Sequence, residues 1–190
     1  MNSRKLSHYL ENALEIGRLI QSDFITQDDA CQIIGMKIFP ENPCRGVGIA
    51  TLTADRTYAL TSTFGFPAGT KEKYTNSSFD ARTPMVDAMC NGRVVWIESM
   101  EQMNLEYPLT ANAEPNRYTA PVIVVPLFKS GITIGALGIV GTEEKPTIDA
   151  MKYLELISLF LAETIKHEQF SSSQITSAYK TLMRGLPLTS

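Results

Sequence analysis

The sequence has no excess of basic residues and no long uninterrupted apolar run. Its 190 residues include 17 basic and 20 acidic side chains, which gives a formal net charge of −3. Because phosphate backbones attract proteins through positive charge, a nucleic-acid-binding surface within these residues is disfavoured. The longest apolar stretch, 122–140, is interrupted by residues 129–131 (KSG). We therefore predict neither a membrane span nor a signal peptide.

Histidines and cysteines are also few, which leaves little material for a metal or hydrolytic site. Cys31, Cys44 and Cys90 are widely spaced, form no Cys-x-x-Cys pair and have too few histidines near them for zinc. His8 and His167 both fall in predicted helices, which disfavours a Ser-His-acid or Cys-His arrangement. There is no phosphate-binding loop and no Rossmann glycine pattern. We predict no metal site and no catalytic residue, and the odd number and wide spacing of the cysteines favour a reducing cytoplasm.

The length and the apolar content fit one domain with helical appendages. Hydrophobic residues make up 44% of the chain and charged residues 19%, so a core can form and general disorder is disfavoured. We expect three parts: an N-terminal amphipathic helix in 1–25, the main domain in 26–168, and a helical extension with a linker in 169–190.

Apolar periodicity, caps and turn residues predict an alternation of helices and strand pairs. In chain order, the predicted elements are a helix over 6–20, a helix from a Thr26–Asp29 capping box to near Lys37, a hairpin of strands 46–53 and 57–63, a short helix capped by Thr83 and closed at Gly92, a strand over 94–97, helical turns within 98–105, a hairpin of strands 121–128 and 132–140, and a long helix over 148–165. The second hairpin is apolar and β-branched, which is typical of central strands.

Two stretches without a clear period, 64–78 and 106–119, are predicted as long loops, and loops of this length are usually kept for function. After the long helix, three serines at 171–173 interrupt the apolar pattern, and residues 175–183 restore it. Serine is a weak helix former, so this break is a predicted hinge.

The order of these elements and two local phrases resemble the GAF sensor domain. The first phrase is GRVVWI at 92–97, and the second is APVIVVPL at 120–127, which leads to IGALG at 134–138. The resemblance covers roughly residues 27–167. It implies an α+β fold in which a central antiparallel sheet has helices packed on one face and loops over the other.

GAF domains that hold a ligand bind it between one sheet face and the irregular segments above. The resemblance therefore implies a pocket roofed by 64–78 and 106–119, with aromatic walls and a cation for any anionic group. The candidate ligand-binding residues are Phe64, Phe66, Tyr74, Trp96, Tyr107, Arg117 and Tyr118, and Arg82 is a second cation. The alternative is a place in the core for each aromatic side chain and a solvated or locally paired position for each arginine.

Sequence marks of other GAF subclasses are absent. The Asn-Lys-Phe-Asp-Glu signature of cyclic-nucleotide binders is missing, although 76–80 (NSSFD) shares fragments of it, and no cysteine stands beside a histidine as in bilin-carrying relatives. The enzymatic branch of the family reduces free methionine sulfoxide with cysteines, which must be activated and accessible. Cys31 and Cys90 are expected to act as apolar side chains. Cys44, between a proline and an arginine, has the sequence setting of an exposed thiol in a positive environment.

The last residues, RGLPLTS at 184–190, are similar to the joint before a LuxR-type helix-turn-helix domain. A generic tail with a helix cap explains the same residues. The similarity to the LuxR-type joint implies that DNA is contacted only through a further C-terminal domain. The present chain would then be the sensory part of a transcription regulator.

We therefore expect a cytoplasmic, non-catalytic sensory and dimerisation domain that binds a small molecule and relays a signal through its terminal helices. Two alternatives stay open: a thiol-dependent free methionine sulfoxide reductase, and a structural GAF dimer without a ligand. A homodimer is expected because helices 6–20 and 148–165 have more apolar positions than one sheet contact needs. The sequence does not identify the ligand or any cofactor.

Overall fold

A six-stranded antiparallel sheet forms the centre of the protein. The computed structural model describes residues 3–53, 57–108, 110, 121–144 and 146–165. The strands are β1 (Gly46–Leu52), β2 (Thr57–Phe64), β3 (Ser77–Ser78), β4 (Val95–Ile97), β5 (Val122–Lys129) and β6 (Ile132–Val140). Their order is β3-β2-β1-β6-β5-β4, and every neighbouring pair is antiparallel. The predicted fold class and both predicted hairpins are confirmed.

The described residues contain six helices around this sheet, and local capping groups fix the ends of several of them. They are α1 (Ser3–Ile20), α2 (Gln27–Lys37), α3 (Thr70–Lys73), α4 (Pro84–Asn91), α5 (Met100–Glu106) and α6 (Ile148–Thr164). Thr26 forms the predicted capping box with Asp29. Thr83 accepts the Val86 N–H at the start of α4, and Gly92 ends that helix with a φ of 60°, a left-handed conformation that glycine adopts without strain.

Helices α1, α2 and α6 cover one face of the sheet. The core between them contains Val47, Ile49, Ile123, Val125 and Leu137 from the strands. The expectation that α1 packs on the sheet needs correction, because α1 packs mainly on α2 and α6. It therefore forms an outer layer, although its buried side chains belong to the same core as the other two helices.

Shorter elements cover the opposite face. Helix α4 lies over β5 and β6, α3 lies over β2, and α5 lies beside β4. A second core here contains Ala50, Val122, Val124, Ala136 and Val140 from the strands. The segment 64–78 was predicted as one irregular loop, but it contains α3 and the short strand β3. Most of the other predicted loop, 106–119, lies outside the described residues, as do the predicted serine hinge and the helix after it.

A β-bulge in β2 reverses which face its side chains occupy. The pairing runs from Leu52 opposite Tyr58 to Ala50 opposite Leu60, and then shifts so that Ile49 lies opposite Ser62. Thr61 is the extra residue, and its Oγ1 donates a hydrogen bond to the Ile49 carbonyl at 3.1 Å. Even-numbered β2 residues before the bulge therefore face the shorter elements, and those after it face α2.

The β5–β6 hairpin is joined to the end of α6 by one lysine. Lys129, at the end of β5, donates from Nζ to the Ile165 carbonyl at 3.3 Å and lies 3.9 Å from the Glu163 carboxylate. Only 18% of its side chain is exposed. A cation at this place is favourable because the C-terminal end of a helix has unpaired carbonyl groups and a partial negative charge. Within the described residues, no helix has both the length and the apolar character to span a membrane.

An ion pair connects α1 to the segment before α6. Lys5 Nζ donates to Glu144 Oε1 at 2.8 Å, and Asn42 donates to the other carboxylate oxygen at 3.2 Å. The Glu144 side chain is only 7% exposed, whereas that of Lys5 is 44% exposed. Burial alone would raise the pKa of Glu144, but hydrogen bonds from Lys5 and Asn42 outweigh it, so the pKa lies below the usual carboxyl value.

We predict that this ion pair makes stability fall at acid pH. Because the pKa of Glu144 is lower in the folded chain, its contribution is complete above the usual carboxyl pKa of about 4.3 and is lost as the pH falls through the lowered value. Lys5→Met should lower the free energy of unfolding at pH 7 by about 1 kcal/mol, since water screens the exposed ammonium. Glu144→Gln should reduce the loss of stability on the acid side.

Urea unfolding at pH 7 and at several values between pH 5 and 3 measures both effects. Lys152→Met, at an exposed position of α6, is the matched control and should leave the pH dependence unchanged. An acid-side slope in Glu144→Gln equal to that of the parent chain would contradict the assignment.

Candidate functional site

A cavity of about 250 Å³ lies on the sheet face opposite α1, α2 and α6. Its floor is the central part of β1, β2, β5 and β6, and its roof is built by α4, α5 and the segment around α3. The described residues that line it are Gly48, Tyr58, Leu60, Phe66, Thr70, Tyr74, Ala81, Thr83, Pro84, Met85, Met103, Thr110, Val122, Val124, Gly138 and Val140. The floor strands contribute mainly apolar side chains and the hydroxyl group of Tyr58, and the other hydroxyl groups of the described lining belong to the walls and roof.

Two of the predicted ligand-binding residues line this cavity. Phe66 follows the turn at the end of β2, and Tyr74 follows α3, so both belong to the predicted roof segment 64–78. The backbone carbonyl of Tyr74 accepts the Leu60 N–H at 2.8 Å, which ties the roof to the edge of β2. The predicted roof segment 64–78 therefore supplies part of the cavity lining.

Phe64, in contrast, lies on the other face of the sheet. Because the bulge at Thr61 reverses the alternation, Phe64 stands opposite Val47 and packs against the helix-side core. A Cβ at Gly35 of α2 would overlap its ring. The glycine thus makes room for this aromatic ring, and Phe64 is a core residue that does not line the cavity.

Trp96 and Tyr107 also lie away from the cavity lining. Trp96 is paired with Ile123 across β4 and β5, so it shares the helix-side face of that residue. Tyr107 is buried in the second core, and its hydroxyl donates to Asp87 Oδ2 at 2.8 Å. Burial raises the pKa of Tyr107, and the hydrogen bond to Asp87 adds to this shift.

Neither predicted cation is among the described lining residues. Arg117 and Tyr118 lie outside the described residues. Arg82 is placed beside Tyr107 and Asp87: its guanidinium is 5.6 Å from the Tyr107 ring centroid, and its Nε is 3.8 Å from Asp87 Oδ2. The locally paired position is therefore the observed one for Arg82.

The sequence reasoning missed the aliphatic and sulfur-containing side chains that build most of the cavity. Leu60, Met85 and Met103 line it from β2, α4 and α5. Leucine and methionine are ordinary core residues, so their types alone do not distinguish a cavity wall from the core. The strand alternation does indicate the cavity face, because Val122, Val124 and Gly138 lie on one face of the sheet by register.

Two of the cysteines lie on the helix side of the sheet. Cys31 is buried and Cys44 is half-buried, and both belong to that core or pack against it. Their thiols donate to the carbonyls of Val47 and Gly35, each at 3.3 Å. Burial raises the pKa of Cys31 to about 12 and that of Cys44 to about 11. The expectation of an exposed, positive setting for Cys44 was wrong, because the fold packs it against α2.

A second, polar hollow of about 300 Å³ surrounds the Lys5–Glu144 ion pair. Its described lining residues are Lys5, His8, Tyr9, Asn12, Phe39, Pro40, Glu41 and Glu144. Several of these polar groups already bind one another or the core: Asn12 donates to the Tyr153 hydroxyl at 2.7 Å, and that hydroxyl donates to the Ile38 carbonyl at 2.6 Å. These hydrogen bonds hold α1 in place and occupy several polar groups that a ligand would need. The apolar cavity is therefore the better candidate for a ligand site.

Neither the family models nor the curated proteins contain a match to this chain. Solved structures do match. The GAF domain of a phosphoenolpyruvate-protein phosphotransferase from Coxiella burnetii aligns with a TM-score of 0.66 and 12% identity, over 93% of this chain and 97% of that one. The GAF domain of the Acinetobacter phosphoenolpyruvate-protein phosphotransferase aligns with a TM-score of 0.63 and 14% identity, over 95% and 97%.

An enzyme shares the same architecture. Free methionine-R-sulfoxide reductase from Neisseria meningitidis, solved in complex with its substrate, aligns with a TM-score of 0.63 and 17% identity, over 95% of both chains. At these identities, the similarity shows a common arrangement of helices and strands and leaves the chemistry open. The chain thus has a GAF-like α+β fold.

Proposed function

We propose that this chain is a non-catalytic sensory and dimerisation domain of the GAF type, which binds a small molecule in the apolar cavity. The observation that carries the proposal is the cavity itself, because it lies between one sheet face and the segments above it. Concave apolar sites with a few polar groups are the usual form of small-molecule sites. The cavity also lies on the face that α1 and α6 leave open, so a ligand and a partner chain do not compete for one surface.

The first alternative is a thiol-dependent free methionine sulfoxide reductase, since a structural neighbour has that activity. Reduction of a sulfoxide by a cysteine needs an accessible thiolate. The thiols of Cys31 and Cys44 have raised pKa values and point to backbone carbonyls on the other side of the sheet. Cys90 packs in the second core and is not among the described residues that line the cavity.

We predict no reductase activity. Incubation of the protein with free methionine sulfoxide, NADPH and a thiol-reducing system should leave the sulfoxide concentration equal to that of a protein-free sample. The Neisseria enzyme serves as the positive control. Turnover that disappears in Cys31→Ser, Cys44→Ser or Cys90→Ser would show that the chain is an enzyme.

The second alternative is a structural dimer without a ligand, and cavity-dependent binding distinguishes it from a sensor. Saturation-transfer NMR against a library of small charged and uncharged compounds should give ligands with dissociation constants between micromolar and millimolar values. Ala81→Trp, at a half-exposed lining residue, should weaken their binding roughly tenfold or more by filling the cavity.

The matched control is Ala68→Trp, at an exposed residue just before α3 that is not among the described lining residues. It should leave binding unchanged. A library without any binder, or binders that Ala81→Trp does not affect, would favour the structural dimer.

The outer helices support the dimerisation part of the proposal. Tyr9 stacks on Tyr153 with ring centroids 4.7 Å apart, and Gly17 lies against Phe160, so α1 and α6 run side by side in the same direction. Large apolar side chains on these two helices face outward. Leu10, Leu14 and Leu159 are 49%, 48% and 53% exposed. Exposed large apolar side chains are typical of an interface, and a second copy would cover this patch of Leu10, Leu14 and Leu159 with the same residues.

We predict that Leu10→Glu combined with Leu14→Glu converts a homodimer into a monomer, because charged side chains would be buried in the interface. Light scattering at micromolar concentrations measures the change in mass. Leu105→Glu, at an 82% exposed residue of α5, is the control and should remain dimeric. A monomeric parent chain, or a double variant that stays dimeric, would refute the use of this patch.

The proposal also includes the route by which ligand binding is passed on as a signal, which is helix α6. Helix α6 contributes to the core and ends at Thr164, shortly before residues 166–190, which lie outside the described residues. A ligand that binds one packing of α6 better than another would shift its population, with a coupling of about 1–3 kcal/mol. DNA contact through a LuxR-type domain, and a place in the cytoplasm, stay predictions from the sequence.

A further inference from the structure

Two glycines lie opposite each other in the floor of the apolar cavity. Gly48 of β1 is paired with Gly138 of β6, and both line the cavity. Glycine inside a strand lowers stability, because it loses more conformational freedom on folding than other residues and has no side chain to pack. Neither glycine has the left-handed φ that other residues avoid. The backbone conformation therefore does not require glycine at either position.

Two flexible side chains lie directly on these glycines. A Cβ at Gly138 would be 2.5 Å from Met85 Cε, and a Cβ at Gly48 would be 3.0 Å from Leu60 Cδ1. Both atoms are the ends of half-buried side chains that also line the cavity. The two glycines thus make room for the ends of Met85 and Leu60 to lie on the backbone of the floor.

A third glycine in the same sheet has a different reason. Gly135 precedes Gly138 by three residues in β6, and a Cβ there would overlap the carbonyl oxygen of Ala50 in β1. That oxygen belongs to the backbone of the paired strand, which cannot move without disturbing the sheet. Gly135 is therefore required by the close approach of two strands, whereas a Cβ at Gly48 or Gly138 would first meet the end of a flexible side chain.

A methyl group on either of the paired glycines would push a side chain toward the cavity. The space beside the ends of Met85 and Leu60 is the cavity, since all four residues line it. Protein atoms that fill an empty apolar space gain dispersion contacts and remove the cost of the void. The two glycines thus lower stability and keep open a space of about 250 Å³.

We infer that Gly48 and Gly138 are positioning residues of the ligand site, which hold Leu60 and Met85 out of the space that an apolar group of the ligand fills. This group would pack against the two side chains and the aliphatic surface of Val124. The flexible thioether of Met85 can adapt to its shape. The inference rests on the proposed function, because it names residues that shape the same site.

Gly138→Ala tests the inference, because its effects on binding and on stability should differ. The displaced end of Met85 should weaken the binding of cyclohexane roughly tenfold or more. The midpoint of urea unfolding should stay the same or rise, because alanine restricts the unfolded chain and the displaced side chain fills empty space. Gly48→Ala should act in the same way through Leu60.

Apolar probes measure the open space without any assumption about the polar part of the ligand. Xenon binds to dry apolar cavities, and cyclohexane is a larger probe of the same apolar character. Both should bind to the complete parent chain, and xenon should lose less affinity than cyclohexane in the two variants. NMR of labelled methyl groups gives each affinity and locates the probe, since Leu60, Met85 and Val124 line the cavity.

Two further variants distinguish positioning from a general loss of structure. Gly138→Ala combined with Met85→Ala should bind cyclohexane as the parent chain does, because the shorter side chain leaves the space open. Gly135→Ala is the matched control in the same strand. It should lower the midpoint of urea unfolding, because backbone atoms have to move. Circular dichroism checks that each variant is folded.

The outcomes separate this inference from the proposed function. Parent-like cyclohexane binding by Gly138→Ala, or a fall in its urea midpoint as large as that of Gly135→Ala, would overturn the inference and leave the sensory function standing. The same holds if the parent chain binds neither probe while library compounds bind and Ala81→Trp removes them. If neither the probes nor any library compound binds in the cavity, the sensory function is overturned together with the inference.

Discussion

The structure depends on three strands that are apolar on both faces. β1, β5 and β6 place Ile49, Val125 and Leu137 on one side of the sheet and Ala50, Val124 and Ala136 on the other. A sheet of this kind has to be covered twice, because either face left in water would expose a large apolar area. One cover is a continuous layer of long helices. The other consists of short helices and connecting segments, which do not fill all the space, and the cavity lies where their coverage is incomplete.

Much of the architecture follows from signals that act over a few residues. The capping box at Thr26, the Thr83–Pro84 start of α4 and the left-handed Gly92 each fix the end of a helix by the backbone groups they pair or by the conformation they allow. For this reason, most helices and strands were predicted within a few residues of their observed ends. The GAF resemblance added the order in which they assemble.

The site was harder to predict, because the direction of a side chain depends on contacts that are distant in the sequence. Phe64 and Phe66 are equivalent by residue type and spacing, but the bulge at Thr61 sends Phe64 to the helix side, and only the pairing with β1 reveals this shift. Trp96 is assigned to its face by the register of β4 against β5. The setting of Cys44 was misjudged for the same reason, because its chain neighbours are polar while its spatial neighbours belong to α2.

Lys129 has a mechanical consequence for the protein. It joins the hairpin, whose strands also supply Val124 and Gly138 to the cavity floor, to the carbonyl of Ile165 at the end of α6. The four methylene groups of a lysine side chain adapt to small changes in angle, while the charge keeps the ammonium near the helix end. Because the ammonium is held at the end of α6 while the helix also packs on β5, a displacement of β5 along its own axis would pull on the C-terminal end of α6.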